Sequence, residues 1–309
     1  MTTPTETISF KDRVAIVTGA GGGLGRQHAL ALAARGAKVV VNDFGRPASG
    51  NTEVTLTAAQ AVAEEICAAG GIAIANNASV TDVAAMDAMV TDAMERWGRI
   101  DILVNNAGIL RDKSFAKMAL EDFRLVLEVH VMGAVICTHA VWDVMRAQKY
   151  GRIVMTTSSS GLYGNFGQSN YSAAKMALVG LMQTLSLEGA KSGIRVNCLA
   201  PTAATQMTEN LMPAAVLAHL KPESVTPGLL YLVSEAAPTR TILCAGAGTF
   251  ERAYVTMTSG LHLGSGPHVA EQVAANIAVI SDRSTEIVPE EAGAQVRNEI
   301  GNAISGVKI

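Results

Sequence analysis

The chain has 309 residues, 49% of them hydrophobic, enough to bury a large core and enough for one α/β domain with or without a small appendage, which excludes general disorder. A net charge of -3 and a pI near 6.1 give no basic surface to attract nucleic acid or an anionic membrane, so neither partner is expected. Cys67, Cys137, Cys198 and Cys244 are widely spaced, without CxxC or Cys/His spacing, so no metal site is expected and the thiols read as free in a reducing compartment.

The opening MTTPTETISF lacks the basic and apolar regions of a signal peptide, and no later stretch reads as long and apolar enough to span a membrane. The C-terminal VKI is not the peroxisomal tripeptide, and a cytoplasmic protein is expected. From residue 13 the pattern becomes regular: RVAIVTG (13–19) predicts a strand, residues 24–36 a helix ending at glycine, and AKVVVND (37–43) a second strand. Between the first two lies TGAGGGLG, with Gly19, Gly23 and Gly25 spaced to let a pyrophosphate approach backbone N–H groups at a helix N-terminus. Asp43 ends the second strand, where a carboxylate can accept from ribose hydroxyls and repel a 2′-phosphate, so NAD is favoured over NADP; Arg46, three residues on, could offset this or be solvated.

Helix and strand go on alternating, with a helix over 51–71, a strand at 72–77, a helix over 83–97 and a strand over 100–108. The last of these ends in Asn105, Asn106, Ala107 and Gly108, small residues and amides that can line a ligand or close a turn. A long helix over 121–148, a strand at 152–158, a helix from 171 to 192 and a strand at 193–201 complete a parallel sheet. Tyr171 and Lys175, four apart, share one helical face, and Ser158 stands at the preceding strand end. A phenol whose anion is stabilised by an ammonium can exchange a proton near neutrality, and a hydroxyl nearby can hold the oxygen being transformed.

In this order and spacing, TGxxxGxG, NNAG, Ser and YxxxK over residues 10–260 resemble the short-chain dehydrogenase/reductase family. The resemblance implies a Rossmann-type doubly wound parallel sheet and a nicotinamide cofactor bound by Gly19, Gly23, Leu24, Gly25, Asp43, Ser79, Val80, Asn106, Ala107, Gly108, Tyr171, Lys175 and Pro201. It also implies catalysis by Ser158, Tyr171 and Lys175, with Lys175 holding the nicotinamide ribose as well. There are three departures from the family pattern. His130 stands where the family usually has an Asn and is either a proton-relay member or a plain helix residue; Pro201-Thr202 replaces Pro-Gly, which puts the contacts of Thr202 and Thr205 in question; and Ala78 replaces an adenine-contacting Asp.

Within the family, residues 105–115, 148–175 and 220–227 look like the (3R)-hydroxyacyl-CoA dehydrogenase unit of peroxisomal multifunctional β-oxidation enzymes, which also carries a His at that position. That likeness implies an acyl-CoA substrate, with Arg111 and Lys113 at the rim either meeting its phosphates or solvated; a steroid or other apolar secondary alcohol is the alternative. A non-enzymatic NAD-responsive protein is disfavoured because the catalytic set is complete. Residues 202–222, with Met207, Met212 and His219, occupy the family's substrate lid; a helix is expected over 226–237 and a strand over 251–260. Residues 1–260 are expected to form the dinucleotide-binding domain, and 261–309 an extension without catalytic signature, either helical over a neighbouring subunit or an arm. The apolar run 176–187, richer than one buried face requires, together with the family's pairing of its 121–148 and 171–192 helices, implies a homodimer or homotetramer.

Overall fold

The structure is a computed structural model and describes residues 7–45, 57–203 and 219–306. β1 (Val14–Thr18), β2 (Lys38–Asn42), β3 (Ile72–Asn76), β4 (Ile102–Asn105), β5 (Gly151–Thr156), β6 (Ile194–Thr202), β7 (Ile242–Gly246) and β8 (Thr249–Ala253) form one sheet in the order β3-β2-β1-β4-β5-β6-β7-β8. β1 to β7 pair in parallel. The apolar runs of β1, β4 and β5 are buried along their whole length, as strands covered on both faces must be. The order reverses between β1 and β4, and this switch point opens a crevice at the strands' carboxyl ends.

The flanking helices are α1 (Gly23–Ala34), α2 (Ala58–Ala68), α3 (Val83–Trp97), α4 (Leu120–Leu127), α5 (Gly133–Gln148), α6 (Ser159–Tyr163), α7 (Ser169–Gly189) and α8 (Thr226–Leu232). α2 starts with a Thr57–Gln60 capping box, and α3 with Asp82 accepting from Ala85 N and ends at left-handed Gly98.

Several expectations need correction. The strand expected over 251–260 is β8, ending at Ala253, and β7 was not anticipated: Ile-Leu-Cys-Ala-Gly is short, lacks alternation and forms only by adding to β6. The 226–237 helix stops at Leu232. The 121–148 helix is broken by a π-helical turn, Glu128–Met132, between α4 and α5. The continuous helical segment Leu120–Gln148 does reach the length and apolarity of a membrane span, contrary to expectation, with mean hydropathy 1.6. Its second half is packed on the sheet, with Ala134, Cys137, Val141 and Met145 buried, and Val126 is buried where α4 packs on α7. Most of the anticipated lid, including Thr205, Met207 and Met212, lies outside the described residues, as does Arg46.

The chain divides into two compact units, Met1–Arg252 and Ala253–Ile309, against an anticipated boundary after residue 260. The second contains α9 (Val269–Ala275), α10 (Ile277–Ile280) and α11 (Gly293–Gly306). It is tied internally by a Met257–Ile287 bridge and by Asn298 and Asn302 donating to the Ser259 carbonyl.

Candidate active site

At the switch point, β1 runs into the glycine turn. Gly19 takes φ +62°, and a Cβ there would lie 2.8 Å from Ala107 Cα; a Cβ on Gly25 would lie 2.1 Å from the Gly19 carbonyl oxygen. The turn is knitted to the end of β4. Asn106 Nδ2 donates to the Thr18 and Gly19 carbonyls at 3.0 and 3.1 Å, while Thr18 Oγ1 accepts from the Asn106 and Ala107 amides. Asn106 therefore spends its amide on backbone, the structural one of its two expected uses. α1 begins without a side-chain cap, with no acidic residue in its first turn and open space beside Gly22, so its first amides face outward as an anion cradle. Asp43, at the end of β2, accepts from Gly21 N and Gly45 N, both at 2.8 Å. Glycines that cannot bear a Cβ, an uncapped helix start and a carboxylate one strand over fit a dinucleotide.

Beside this cradle, β5 ends at Thr156, and buried Thr157 donates to the Lys175 carbonyl at 2.7 Å, fixing α7 against the strand end. Ser158 caps α6, its Oγ accepting from Ser160 N at 3.2 Å, and its hydroxyl acts on the Tyr171 phenol from the end of β5. Lys175 is buried, donates to the Thr156 carbonyl at 2.6 Å and stands 5.4 Å from the Tyr171 ring centroid. Gly161 admits this packing, since a Cβ there would meet Lys175 Cβ at 2.7 Å. Ser158, Tyr171 and Lys175 are thus brought together.

Their electrostatics differ from expectation. Burial raises the Tyr171 phenol above its ordinary value; the Ser158 hydroxyl pulls it down and the Asp112 carboxylate pushes it up. Burial brings the Lys175 ammonium down to about 7. Desolvation, not the ammonium beside it, sets the phenol, because both groups have lost water to the same apolar layer.

His130 lies in the π turn, with its ring edge-on to Tyr171 at 5.3 Å and 89°. Its Nε2 meets Ile109 N at 3.0 Å and Ile109 O at 2.8 Å. Burial, and secondarily Lys175, lowers it to about 3, so it is neutral at physiological pH. Gly108 is required here, because a Cβ would fall 2.2 Å from His130 Cε1. His130 Nδ1 and Asn105 Oδ1 are buried without a partner, and both residues line a cavity of about 10 Å3 with Thr18, Ala107 and Lys175, room for about one water. Val80 is buried on the wall of this cavity, Ser79 Oγ bonds Thr81 Oγ1 at 2.8 Å, Leu24 packs on the core, and Pro201 is half-buried near the end of β6. Sequence reasoning missed Thr18, Thr157, Asp112 and Gln168; their roles come from contacts 8 to 89 positions apart that no local spacing encodes.

A dinucleotide cradle at the switch point and a Tyr–Lys–Ser cluster one strand away define an α/β oxidoreductase acting on alcohols or ketones. The model of short chain dehydrogenases matches residues 13–215, and the chain belongs to that family, whose members typically use NAD(P). It is 50% identical over 254 residues to the peroxisomal hydratase-dehydrogenase-epimerase of Saccharomyces cerevisiae, covering 82% of this chain and 28% of that protein. Full-length peroxisomal multifunctional enzyme type 2 from Drosophila melanogaster superposes with TM-score 0.80 at 37% identity, over 97% of this chain and 51% of that one. A 7α-hydroxysteroid dehydrogenase complexed with NADH and 7-oxo glycochenodeoxycholic acid superposes with TM-score 0.69 at 29% identity, over 78% of this chain and 95% of that one. The chain spans less than two thirds of the length of the multifunctional relatives that it matches.

Proposed function

We propose that the chain is an NAD-dependent dehydrogenase interconverting (3R)-3-hydroxyacyl-CoA and 3-oxoacyl-CoA. The observation that carries the chemistry is the convergence of Ser158, at the end of β5, and the Tyr171 ring, 5.4 Å from buried Lys175 Nζ, beside the glycine turn. Tyr171 takes the alcohol proton in oxidation and returns it in reduction, and Ser158 holds the reacting oxygen. Lys175 would hold the nicotinamide ribose, and neutral His130 braces Ile109 and the edge of Tyr171. Gly19, Gly23, Leu24 and Gly25 would hold the pyrophosphate, Asp43 the adenosine ribose, and Ser79, Val80, Asn106, Ala107, Gly108 and Pro201 the remaining walls. The dinucleotide, when bound, supplies the hydride acceptor or donor.

The multifunctional relatives support the acyl-CoA reading, as do the exposed cations Arg111, Lys113 and Lys117 on the loop after β4. Arg111 keeps a 3.5 Å ion pair with Asp122. A steroid or other apolar alcohol is the second reading, favoured by Phe115 and Phe166, 76% and 91% exposed on the neighbouring loops. The test is kcat/KM for a (3R)-hydroxyacyl-CoA, its (3S) epimer, the free alcohol and a hydroxysteroid, with NAD and NADP, in wild type and in Arg111→Ala/Lys113→Ala. A thioester no better than the free alcohol, or a preference for (3S), replaces the acyl-CoA reading with the steroid one.

The same proposal includes a homodimer or homotetramer, supported by exposed Leu120, Leu125 and Met132 on the long helix and Met176 and Leu187 on α7. A monomer at micromolar concentration by light scattering would count against it. A cytoplasmic setting rests on four free thiols. The catalytic unit is taken as residues 1–260 with a lid over 202–222, and 261–309 as an extension outside the chemistry.

A further inference from the structure

Two loops frame the reactive pair, one after β4 (106–114) and one between α6 and α7 (164–168), and three hydrogen bonds stitch the first to the second and to the start of α7. Lys113 N donates to the Gly167 carbonyl at 2.9 Å, Asn170 Nδ2 to the Arg111 carbonyl at 3.0 Å, and Gln168 Nε2 to Asp112 Oδ2 at 2.6 Å. Asn170 is fully buried and Gln168 is 6% exposed, although Asp112 lies on the surface. The carboxamide of Gln168 has one possible orientation. A carboxylate only accepts and an Asn amide nitrogen only donates, so Nε2 must face Asp112, and Oε1 must accept from Asn165 Nδ2 at 2.9 Å and Ser160 Oγ at 2.8 Å. Ser160 in turn donates its backbone N–H to Ser158 Oγ, which fills one acceptor site there and leaves the hydroxyl proton of Ser158 for Tyr171 or the reacting oxygen.

We propose that Gln168 is a positioning residue of the reaction: its carboxamide links Asp112 on the rim to the Ser160–Ser158 turn and so sets the direction of the Ser158 hydroxyl. This rests on the reading of Ser158 and Tyr171 as the groups that handle oxygen and proton. Carboxylate and amide have complementary hydrogen-bonding faces, so exchanging them keeps the chain of bonds, with the acceptor-only group at 168 and the donor at 112. That exchange separates the hydrogen bonds of the carboxamide from its bulk, and a change in kcat and pH profile at unchanged melting temperature is a readout that a merely structural role would not move.

Tyr171 is faced by Ser158 from the end of β5, His130 from the π turn, Lys175 from its own helix and Asp112 from the rim. Removing the Asp112 charge moves the pH at which alcohol oxidation switches on downward, and adding a carboxylate at 168 moves it upward.

The experiment measures kcat, KM, NAD affinity, melting temperature and the pH profile in wild type, Gln168→Ala, Gln168→Glu, Asp112→Asn and Asp112→Asn/Gln168→Glu. The substrate is whichever of (3R)-3-hydroxybutanoyl-CoA and a 7α-hydroxysteroid the wild type oxidises faster. Gln168→Ala is expected to lower kcat about tenfold and Gln168→Glu about thirtyfold, with NAD affinity within about twofold, as for loss of orientation without loss of binding. The double variant returns kcat to within about threefold of wild type, with a pH profile between those of its parents. Should Gln168→Glu fail to fold, Gln168→Met, which keeps the volume and removes both polar atoms, carries the expectation for Ala, and Asp112→Asn is read alone by its downward pH shift. Wild-type kcat in Gln168→Ala, or a folded double variant no better than Gln168→Glu, overturns the inference while inactivity of Tyr171→Phe leaves the site reading intact. An active Tyr171→Phe, or a wild type that oxidises neither alcohol, overturns both.

Discussion

At the amino end of the sheet, Asp101 is fully buried yet accepts from Val14 N, Arg13 and Arg99, and the Tyr150 ring is sandwiched between the guanidiniums of Arg13 and Arg152 at 3.9 and 4.2 Å. At the carboxyl end, about 15 to 20 Å away on the length of a five- or six-residue strand, Asn105 Oδ1, Thr156 Oγ1 and His130 Nδ1 are buried with no partner, and burial lowers the Lys175 ammonium to about 7. The same strands join both ends. One end pairs the charges that it brings together; the other holds buried polar atoms with no partner among the described residues. Unsatisfied buried polarity costs stability, and among the described residues three of the five such atoms stand beside the expected ligand site, the others being His28 Nε2 and Ser172 Oγ.

The sharpest way to break that comparison is Tyr171→Phe. Turnover should fall by about 10²-fold or more while NAD affinity stays near wild type and stability changes by about 1 kcal/mol at most, read by steady-state kinetics, nucleotide titration and thermal melts. Asp101→Asn should do the reverse. With two partly exposed guanidiniums left facing a neutral amide, the protein should lose about 2 kcal/mol in denaturant unfolding, yet turnover per folded molecule should remain within about twofold. If Asp101→Asn instead lowers kcat at unchanged stability, the two ends are not divided as described.

Asp43→Ser should narrow the preference for NAD over NADP by about tenfold, since the carboxylate's repulsion of a 2′-phosphate goes with it; equal use of both cofactors by the wild type would sink the assignment. The smallest effect concerns His28, buried in α1 with Thr226 Oγ1 at 3.0 Å as its hydrogen-bonding partner and lowered to about 3 by burial. Its folded value lies below its unfolded value of 6.5, so its contribution is fully present above pH 6.5 and is lost as pH falls toward 3. His28→Gln should therefore flatten the acid limb of stability by about 1 kcal/mol between pH 7 and 5.5, whereas the activity profile over the same range should not move.

Much of this was legible in the chain because it is local. TGAGGGLG between an apolar β-branched run and a helical period marks a strand, a tight turn and a helix start suited to an anion, and Tyr171 and Lys175 share a helix face by spacing alone. The alternation of strands and helices gave the parallel sheet up to β6 for the same reason. What failed were features whose cause lies across the fold. β7 is five residues with no pattern of its own and exists because β6 offers an unpaired edge. The π turn that turns His130 toward Ile109 interrupts a segment with unbroken helical periodicity. Tyr171 and Lys175 were paired correctly, but the direction of each proton affinity was decided by how much water the finished layer excludes, a quantity that no neighbour in sequence carries. Gln168 meets Asp112 across 56 residues and Ser160 across eight, so its function has no motif. The sequence by itself determined which groups could receive a dinucleotide, hold the reacting oxygen and exchange a proton, since that depends on residue type and short-range geometry. Only the tertiary structure decided their protonation, their orientation and which of them are left waiting for a partner, since those depend on burial and on contacts made by distant parts of the chain.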